Sequence, residues 1–199
     1  MKPIFIGISG GSGAGKSTLC TSLLNTYPDQ IGLIQLDDYF KKPNFVPEYN
    51  GFKNWDHPDA LRLDQLHQDL LDFQQGKYVK IWTKNERLNP DYKKTDKRIE
   101  VEFEPKPIML IEGYLILHDS RIRDLFETSI WLDIDQEESW KRRVHFKKDG
   151  YLEKVMLPMN EQFIKPSKQY AEYLIDVTSM TKDKVFEQVQ GILKLEKPE

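Results

Sequence analysis

Short apolar runs alternate along the chain with longer segments in which apolar residues recur every three or four positions. The apolar runs predict strands at Ile4–Ser9, Gly32–Leu36, Ile108–Glu112, Ile130–Ile134 and Tyr173–Val177. The helical spacing predicts helices at Lys16–Asn25, Leu61–Gln75, Ser120–Phe126, Gln136–Phe146, Pro158–Tyr173 and Asp183–Leu193. Because strands and helices alternate, we expect an α/β fold whose parallel five-stranded sheet is covered by helices on both faces.

Two segments depart from this alternation. Tyr78–Trp82 and Arg98–Phe103 alternate in polarity on either side of a polar stretch, which predicts a projecting antiparallel hairpin over about residues 77–104. The same pattern is typical of an ordinary edge hairpin that binds no ligand. Residues 147–158 are charged and contain Gly150, as in a mobile lid or in an ordinary solvated loop.

Length and composition favour one globular domain over residues 1–199, with a mass of 23.5 kDa. The net charge of −3 offers no basic excess for binding nucleic acid. The apolar runs are too short to cross a bilayer, and Met1-Lys2-Pro3 leads directly into a strand without a signal peptide. Cys20 is the only cysteine, so an internal disulfide is excluded, and we expect a buried thiol in a cytoplasmic protein.

A glycine-rich segment carries the strongest chemical signal. Residues 10–17 read GGSGAGKS, which fits the phosphate-cradling P-loop pattern G-x-x-x-x-G-K-[ST]. An apolar strand precedes it and a helix follows, an arrangement that directs backbone N–H groups at an anion and disfavours a flexible linker. The residues expected to bind the nucleotide are Gly10, Gly11, Ser12, Gly13, Ala14, Gly15, Lys16, Ser17 and Thr18.

Acidic residues follow two of the predicted strands, where ligands collect in open α/β sheets. Glu112 ends one strand and is a candidate for holding Mg²⁺ through water, although strand-end acids are often simply solvated. Asp37-Asp38 follows another strand, and a carboxylate there could orient or deprotonate an attacking hydroxyl in phosphoryl transfer. An Asp pair is also common in caps and turns. The chain lacks an Asn-Lys-x-Asp motif, which disfavours a GTPase switch.

The segment Gly51–Ala60 places Trp55, Asp56 and His57 in a loop before a helix. An aromatic ring next to an acid and a histidine suits stacking on a flat ring and hydrogen bonding to a sugar. The alternative is structural: Asp56 caps the helix, Pro58 starts it and Trp55 belongs to the core.

Taken together, these motifs resemble the uridine kinase branch of the P-loop kinases, which is related to phosphoribulokinases and nicotinamide riboside kinases. The resemblance rests on GISGGSGAGKST, Asp37-Asp38-Tyr39-Phe40, Asp56-His57-Pro58-Asp59-Ala60 and Ile111-Glu112-Gly113, which occur in the family order. Later segments, including Arg142-Arg143, are also similar. The match spans nearly the whole chain.

The resemblance implies a three-layer P-loop NTPase fold with a hairpin subdomain and a lid over about residues 141–165. It implies transfer of the γ-phosphoryl of ATP, with Mg²⁺, to the 5′-hydroxyl of a ribonucleoside. The implied catalytic residues are Asp37, Lys16, Arg142 and Arg143, and the metal site would comprise Ser17, Glu112 and Asp37. The expected substrate-binding residues are Asp37, Tyr39, Trp55, Asp56, His57, Tyr92 and Arg98. Members of this branch are often homo-oligomers.

Departures from the family pattern leave the acceptor open between uridine or cytidine and nicotinamide riboside. The hairpin lacks the histidine that uridine kinases carry there, and Phe146 stands where the family tends to place a third arginine. Asn50-Gly51-Phe52 and Trp55-Asp56 resemble the nicotinamide riboside branch, in which the aromatic residue stacks on the base. The developed hairpin and the HPDA sequence favour uridine or cytidine. An alternative from another class is a nucleotide-binding regulator that hydrolyses ATP without a small acceptor.

Overall fold

A five-stranded parallel sheet forms the centre of the molecule in the computed structural model, which describes residues 2–142 and 150–196. Its strand order is β2-β7-β1-β8-β9, and every neighbouring pair is parallel. The strands are β1 Ile4–Gly10, β2 Ile31–Gln35, β7 Ile108–Glu112, β8 Thr128–Asp133 and β9 Tyr173–Asp176. The predicted α/β fold is therefore confirmed.

Helices cover both faces of the sheet. The α-helices are α1 Lys16–Thr26, α2 Leu63–Gln74, α3 Tyr92–Thr95, α4 Ser120–Arg123, α5 Gln136–Lys141, α6 Leu157–Met159 and α7 Lys182–Ile192. One hydrophobic cluster joins α1 and α7 to the sheet and contains the fully buried Cys20, as predicted. A second cluster lies on the other face and contains Leu66, Leu70 and Phe73 of α2. The three layers expected of this fold are thus present.

The remaining strands form two small antiparallel hairpins. The predicted hairpin is confirmed, because β5 Val79–Thr83 pairs with β6 Ile99–Phe103 in a register that sets Ile81 opposite Val101. A shorter hairpin, β3 Glu48–Tyr49 with β4 Phe52–Lys53, was not predicted, and neither was α3 at the tip of the long hairpin. The strands β3 and β4 and the helix α3 are too short to give a periodic pattern of apolar residues.

The segment after Gly150 differs from the prediction of a loop up to Pro158 followed by a helix to Tyr173. It is helical from Leu152, with π-helical turns at Leu152–Met156 and Asn160–Ile164 around α6 and a 3₁₀ helix at Lys165–Tyr170. Val155, Met156, Met159 and Ile164 are buried. Their burial explains why a segment with several charged residues is helical.

None of the helices within residues 2–142 and 150–196 combines the length and the apolar character that crossing a bilayer requires.

Candidate active site

The glycine-rich loop connects the end of β1 to the start of α1 in backbone conformations that require glycine. Gly10 has a φ of 140°, and a Cβ there would lie 2.3 Å from the carbonyl oxygen of Leu132. Gly15 has a φ of 90° and forms the N-cap of α1 without a side-chain capping bond. The N-terminal amides of α1 therefore lack a side-chain cap, which suits an anion.

Lys16 is folded back over this loop. Its ammonium donates hydrogen bonds to the carbonyl oxygens of Gly10 and Gly11, each at 3.0 Å. The side chain is buried, so its charge lies in the cradle that the loop forms rather than in bulk water. A phosphate in the cradle would meet both this ammonium and the helix N-terminus.

Two cavities meet at the loop. The first, of about 710 Å³, includes Asp37, Trp55, Asp56 and Glu112 among its lining residues. The second, of about 730 Å³, lies on the other side and is lined by residues 13–19 and by residues of the C-terminal part of the chain. Lys16 and Ser17 line both cavities. A phosphate chain held at these two residues would therefore reach into both.

A chain of hydrogen bonds fixes the carboxylate of Glu112 at the base of the loop. Ser17 Oγ donates to Glu112 Oε1 at 3.1 Å, and Gln35 Nε2 donates to Glu112 Oε2 at 3.1 Å. Gln35 in turn accepts a hydrogen bond from Asn85 Nδ2 at 2.5 Å. The hairpin residue Asn85 thus supports the orientation of a carboxylate at the carboxyl end of β7.

The oxygen donors here fit Mg²⁺ delivered with a nucleotide. Within the described ranges, no group of three or more His, Cys, Asp and Glu side chains is placed to hold a metal by itself. Mg²⁺ in phosphoryl-transfer enzymes is commonly held by one or two carboxylates together with substrate phosphates and waters. Ser17 and Glu112 supply a hydroxyl and a carboxylate in contact with each other, and Asp37 lines the same cavity.

Asp37 and Asp38 have opposite environments on the 3₁₀ helix Leu36–Tyr39. The carboxylate of Asp37 is half exposed in the first cavity and pairs with Lys84 Nζ at 2.9 Å. Asp38 is buried and accepts hydrogen bonds from Thr83 Oγ1 at 2.8 Å and from Lys84 N–H at 3.2 Å. Burial raises the pKa of Asp38, an effect that these donors oppose. Asp37 is therefore the carboxylate accessible to a ligand, and Asp38 joins the helix to the hairpin.

Trp55 and Asp56 form another wall of the same cavity. The indole of Trp55 packs edge-on against Phe40, with ring centroids 5.4 Å apart. Tyr151 Oη donates to Asp56 Oδ2 at 2.8 Å, and burial followed by the charge of Asp56 raises the pKa of Tyr151. Trp55 lines the cavity and is partly buried, so its role in substrate binding stays a prediction. Of the structural alternative, Pro58 does start a 3₁₀ helix, Pro58–Ala60, but His57 rather than Asp56 caps it.

Four residues expected to bind substrate are not among the described lining residues of this cavity. The expectation that Tyr39 binds substrate is corrected, because Tyr39 is 1% exposed and donates to Asp69 of α2 at 2.8 Å. The 3₁₀ turn directs its side chain into the core.

The other three residues have contacts elsewhere. Arg98 donates to the backbone oxygens of Asp37 and Asp38. His57 accepts from the amide of Asp59 and packs on Phe163. Tyr92 begins α3 at the hairpin tip.

Arg142 lines the second cavity rather than the first. Its guanidinium forms an ion pair with Glu138 at 3.2 Å and donates to the carbonyl of Thr178 at 3.3 Å. Arg143 and the rest of residues 143–149 of the predicted lid lie outside the described residues. The expected role of this arginine pair on the transferred phosphoryl therefore stays a prediction.

Sequence reasoning did not identify several residues at the site. Lys84, Gln35, Tyr114 and Tyr151 each contact a candidate functional residue. Lys84 lies in the hairpin loop and Tyr151 in the segment interpreted as a lid or loop, and no sequence motif marks either residue as functional. Gln35 and Tyr114 could have been noticed, because each stands within two residues of a strand-end acid.

Comparisons with known proteins match most of the chain. The family model described as "Phosphoribulokinase / Uridine kinase family" matches residues 5–184. The chain is 31% identical to the uridine kinase of Streptococcus gordonii, with 97% of each chain covered. It is 33% identical to the uridine kinase of Brevibacillus brevis, covering 87% of this chain and 84% of that protein.

Solved structures share the fold at lower identity. A possible uridine kinase from Bacillus stearothermophilus has a TM-score of 0.55 at 18% identity, covering 88% of this chain and 90% of that one. The phosphoribulokinase from Rhodobacter spheroides has a TM-score of 0.63 at 10% identity, covering 93% and 74% respectively. These likenesses concern the fold alone.

The parallel sheet, the phosphate cradle and the acids at the strand ends define a P-loop kinase. Within that class, the chain belongs to the phosphoribulokinase/uridine kinase family.

Proposed function

We propose that this kinase transfers the terminal phosphoryl of ATP to the 5′-hydroxyl of a ribonucleoside, with uridine and cytidine as acceptors. The observation that supports this most is the sharing of Lys16 and Ser17 by two cavities, one of which also contains Asp37, Trp55 and Asp56. A donor entering from one side and an acceptor from the other would meet beside Asp37.

On the donor side, the loop amides and Lys16 bind the phosphates, and the second cavity receives the nucleoside part of ATP. Ser17 and Glu112 would hold Mg²⁺, which neutralises phosphate charge when bound. Arg142 lines this cavity together with residues 13–17 of the loop and would act on phosphate charge after leaving Glu138. Its planar guanidinium suits bidentate contact with phosphate oxygens.

On the acceptor side, each wall residue has a distinct task. The carboxylate of Asp37 accepts a hydrogen bond from the 5′-hydroxyl and orients it toward the terminal phosphorus. It takes the proton of that hydroxyl as the new P–O bond forms and the bond from the terminal phosphorus to the departing ADP breaks. The carboxylate of Asp56 accepts hydrogen bonds from ribose hydroxyls, and the indole of Trp55 stacks on the base. Position and electrostatics supply most of the rate, since phosphoryl transfer requires little covalent work from the protein.

The charge of the cavity does not separate a neutral base from a cationic one. Its described lining contains four lysines and three carboxylates: Lys16, Lys53, Lys84, Lys165, Asp37, Asp56 and Glu112. Two of these lysines, Lys53 and Lys165, pair with Glu48 and Glu161, which are not among the described lining residues, so the site carries no clear excess of positive charge. Nicotinamide riboside stays the second candidate, because Trp55 beside Asp56 provides an aromatic face next to a ribose-binding carboxylate.

An acceptor panel tests the proposal. We expect uridine and cytidine to stimulate ADP release from ATP and to yield the 5′-monophosphate by mass spectrometry. Nicotinamide riboside and ribulose 5-phosphate are the competing acceptors. Stimulation by nicotinamide riboside or by ribulose 5-phosphate, without stimulation by uridine or cytidine, would replace the proposed acceptor. ADP release that no acceptor stimulates would favour a nucleotide-hydrolysing regulator instead.

A further inference from the structure

Two tyrosine hydroxyls hold the backbone of Trp55 from opposite sides. Tyr114 Oη donates to the carbonyl oxygen of Trp55 at 2.8 Å. The amide N–H of Trp55 donates to Tyr151 Oη at 3.1 Å. The proton of that same Tyr151 hydroxyl is donated to Asp56 Oδ2 at 2.8 Å. The two residues proposed to recognise the acceptor are therefore fixed by two phenols.

The two tyrosines come from different parts of the site. Tyr114 follows Glu112 by two positions, so it links Trp55 to the strand that carries the candidate metal-binding carboxylate. Tyr151 lies at the start of the helical segment 151–164. A phenol is a suitable link because its ring is rigid and its hydroxyl both donates and accepts.

The contact of Tyr151 is part of a wider junction. The ring of Tyr151 packs edge-on against Phe52, with centroids 5.9 Å apart. Asn50 Nδ2 donates to the carbonyl oxygen of Lys154 at 2.9 Å, and Asn54 Nδ2 contacts Met159 Sδ at 3.1 Å. The helical segment is thus fastened along the acceptor loop from residue 50 to residue 56.

We propose that Tyr114 and Tyr151 are positioning residues that fix Trp55 and Asp56 for acceptor binding, a role that rests on the proposed function. Tyr151 sets the rotation of the Asp56 carboxylate by binding Oδ2. The two tyrosines also fix the two peptide planes on either side of the Trp55 Cα, which carries the indole. Neither tyrosine is required to touch the acceptor. Loss of either hydroxyl weakens acceptor binding without altering the phosphate cradle.

Kinetics of Tyr114→Phe and Tyr151→Phe test this role, since each variant removes only the hydroxyl. We expect the KM for the acceptor to rise about tenfold in each, as for the loss of one or two hydrogen bonds, while the KM for ATP changes less than about twofold. Acceptors lacking the 2′- or 3′-hydroxyl should reduce the penalty of Tyr151→Phe, which acts through Asp56. Tyr78→Phe is the matched control, because Tyr78 is exposed on the hairpin.

A measurement without substrate separates this inference from the proposed function. In ¹⁵N-labelled protein, the Trp55 amide should exchange with solvent faster in Tyr151→Phe than in wild type, with no change in Tyr78→Phe. An unchanged Trp55 amide in Tyr151→Phe overturns the inference, and so does an equal rise of both KM values. If wild type phosphorylates none of the acceptors, the proposed function fails, and the amide measurement still decides whether Tyr151 fixes Trp55.

Discussion

Lys84 contacts both members of the aspartate pair, through different groups. Its ammonium lies 2.9 Å from Asp37 Oδ2, and its backbone N–H donates to Asp38 Oδ1 at 3.2 Å. Lys84 directly follows β5, so the long hairpin reaches the proposed catalytic carboxylate with a cation and anchors itself through the buried one. The hairpin is therefore part of the candidate active site rather than an unattached edge structure.

Replacement of Lys84 by methionine should lower kcat/KM for the acceptor by about tenfold or more, because Asp37 loses the cation that orients it. Lys84→Arg should recover much of the activity. The measurement is steady-state kinetics with the acceptor varied at saturating ATP. Lys80→Met is the matched control, since Lys80 lies on β5, the strand that Lys84 follows, and pairs with Glu100, which does not line the cavity. Equal kinetics in Lys84→Met and Lys80→Met would contradict the assignment.

The two neighbouring aspartates should respond differently to substitution. Asp37→Asn should reduce kcat by about 100-fold or more while leaving ATP affinity nearly unchanged, because a general base is lost and the cradle is not. Asp38→Ala should instead destabilise the fold by about 2 to 4 kcal/mol, since it leaves the Thr83 hydroxyl, the Lys84 amide and Arg98 without their buried partner.

These different roles are tested by measuring turnover, ATP binding and denaturant unfolding of both variants. Unchanged turnover in Asp37→Asn would remove this residue from the mechanism. Stability loss in Asp37→Asn equal to that in Asp38→Ala would make both residues structural.

The sequence allowed the sheet and the phosphate cradle to be predicted, because both depend on local patterns. Each central strand is an apolar run, and the loop requires glycine where φ is positive, as at Gly10 and Gly15. Parallel strands place their carboxyl ends at one edge, so the proximity of Asp37 and Glu112 to the loop followed from topology.

Contacts between distant segments could not be predicted in the same way. Tyr151 meets Asp56 across 95 positions, and nothing in the pattern around either residue indicates the other. The orientation of Tyr39 depends on the 3₁₀ turn and on its partner Asp69, which lies 30 positions away. Composition near residue 150 suggested a loop, but burial of Val155 and Met159 stabilises a helix instead.

Trp55→Ala should raise the KM for the nucleoside by about tenfold and leave the KM for ATP nearly unchanged. The indole offers a stacking surface in the acceptor cavity, and its loss also removes the edge-on packing between Trp55 and Phe40. Trp82→Ala is the control, because Trp82 is exposed on the outer face of the hairpin. If neither KM moved in Trp55→Ala while the protein became less stable, Trp55 would be a structural residue.

Glu112→Gln should raise the Mg²⁺ concentration needed for half-maximal activity by about tenfold, since a neutral amide is a poorer ligand for Mg²⁺ than a carboxylate. The amide oxygen can still accept from Gln35 Nε2, and the new NH2 group can donate to the Ser17 hydroxyl, which both donates and accepts, so structural damage is limited. Activity titrated with Mg²⁺ at fixed ATP gives the value, and Glu102→Gln on the exposed hairpin serves as the control. The same Mg²⁺ requirement in both variants would place the metal elsewhere.

His118 should make the stability of the fold depend on pH near neutrality. Burial lowers the pKa of His118 below 6.5; Asp119 opposes this shift, whereas Arg123 and His57 add to it. The unfolded chain therefore takes up a proton first as the pH falls. The stability that His118 contributes is present above pH 6.5 and is lost as the pH drops through 6.5 toward the lower folded-state pKa.

His118→Gln should remove this part of the pH dependence. Relative to its value at pH 7.5, the Tm at pH 5.5 should fall less in His118→Gln than in wild type, by about 1 to 2 °C. Thermal unfolding at several pH values measures the difference, and the other titrating groups contribute equally to both proteins. A constant Tm offset between the two proteins at every pH would show that the environment of His118, in edge-on contact with Phe163, does not favour its neutral form.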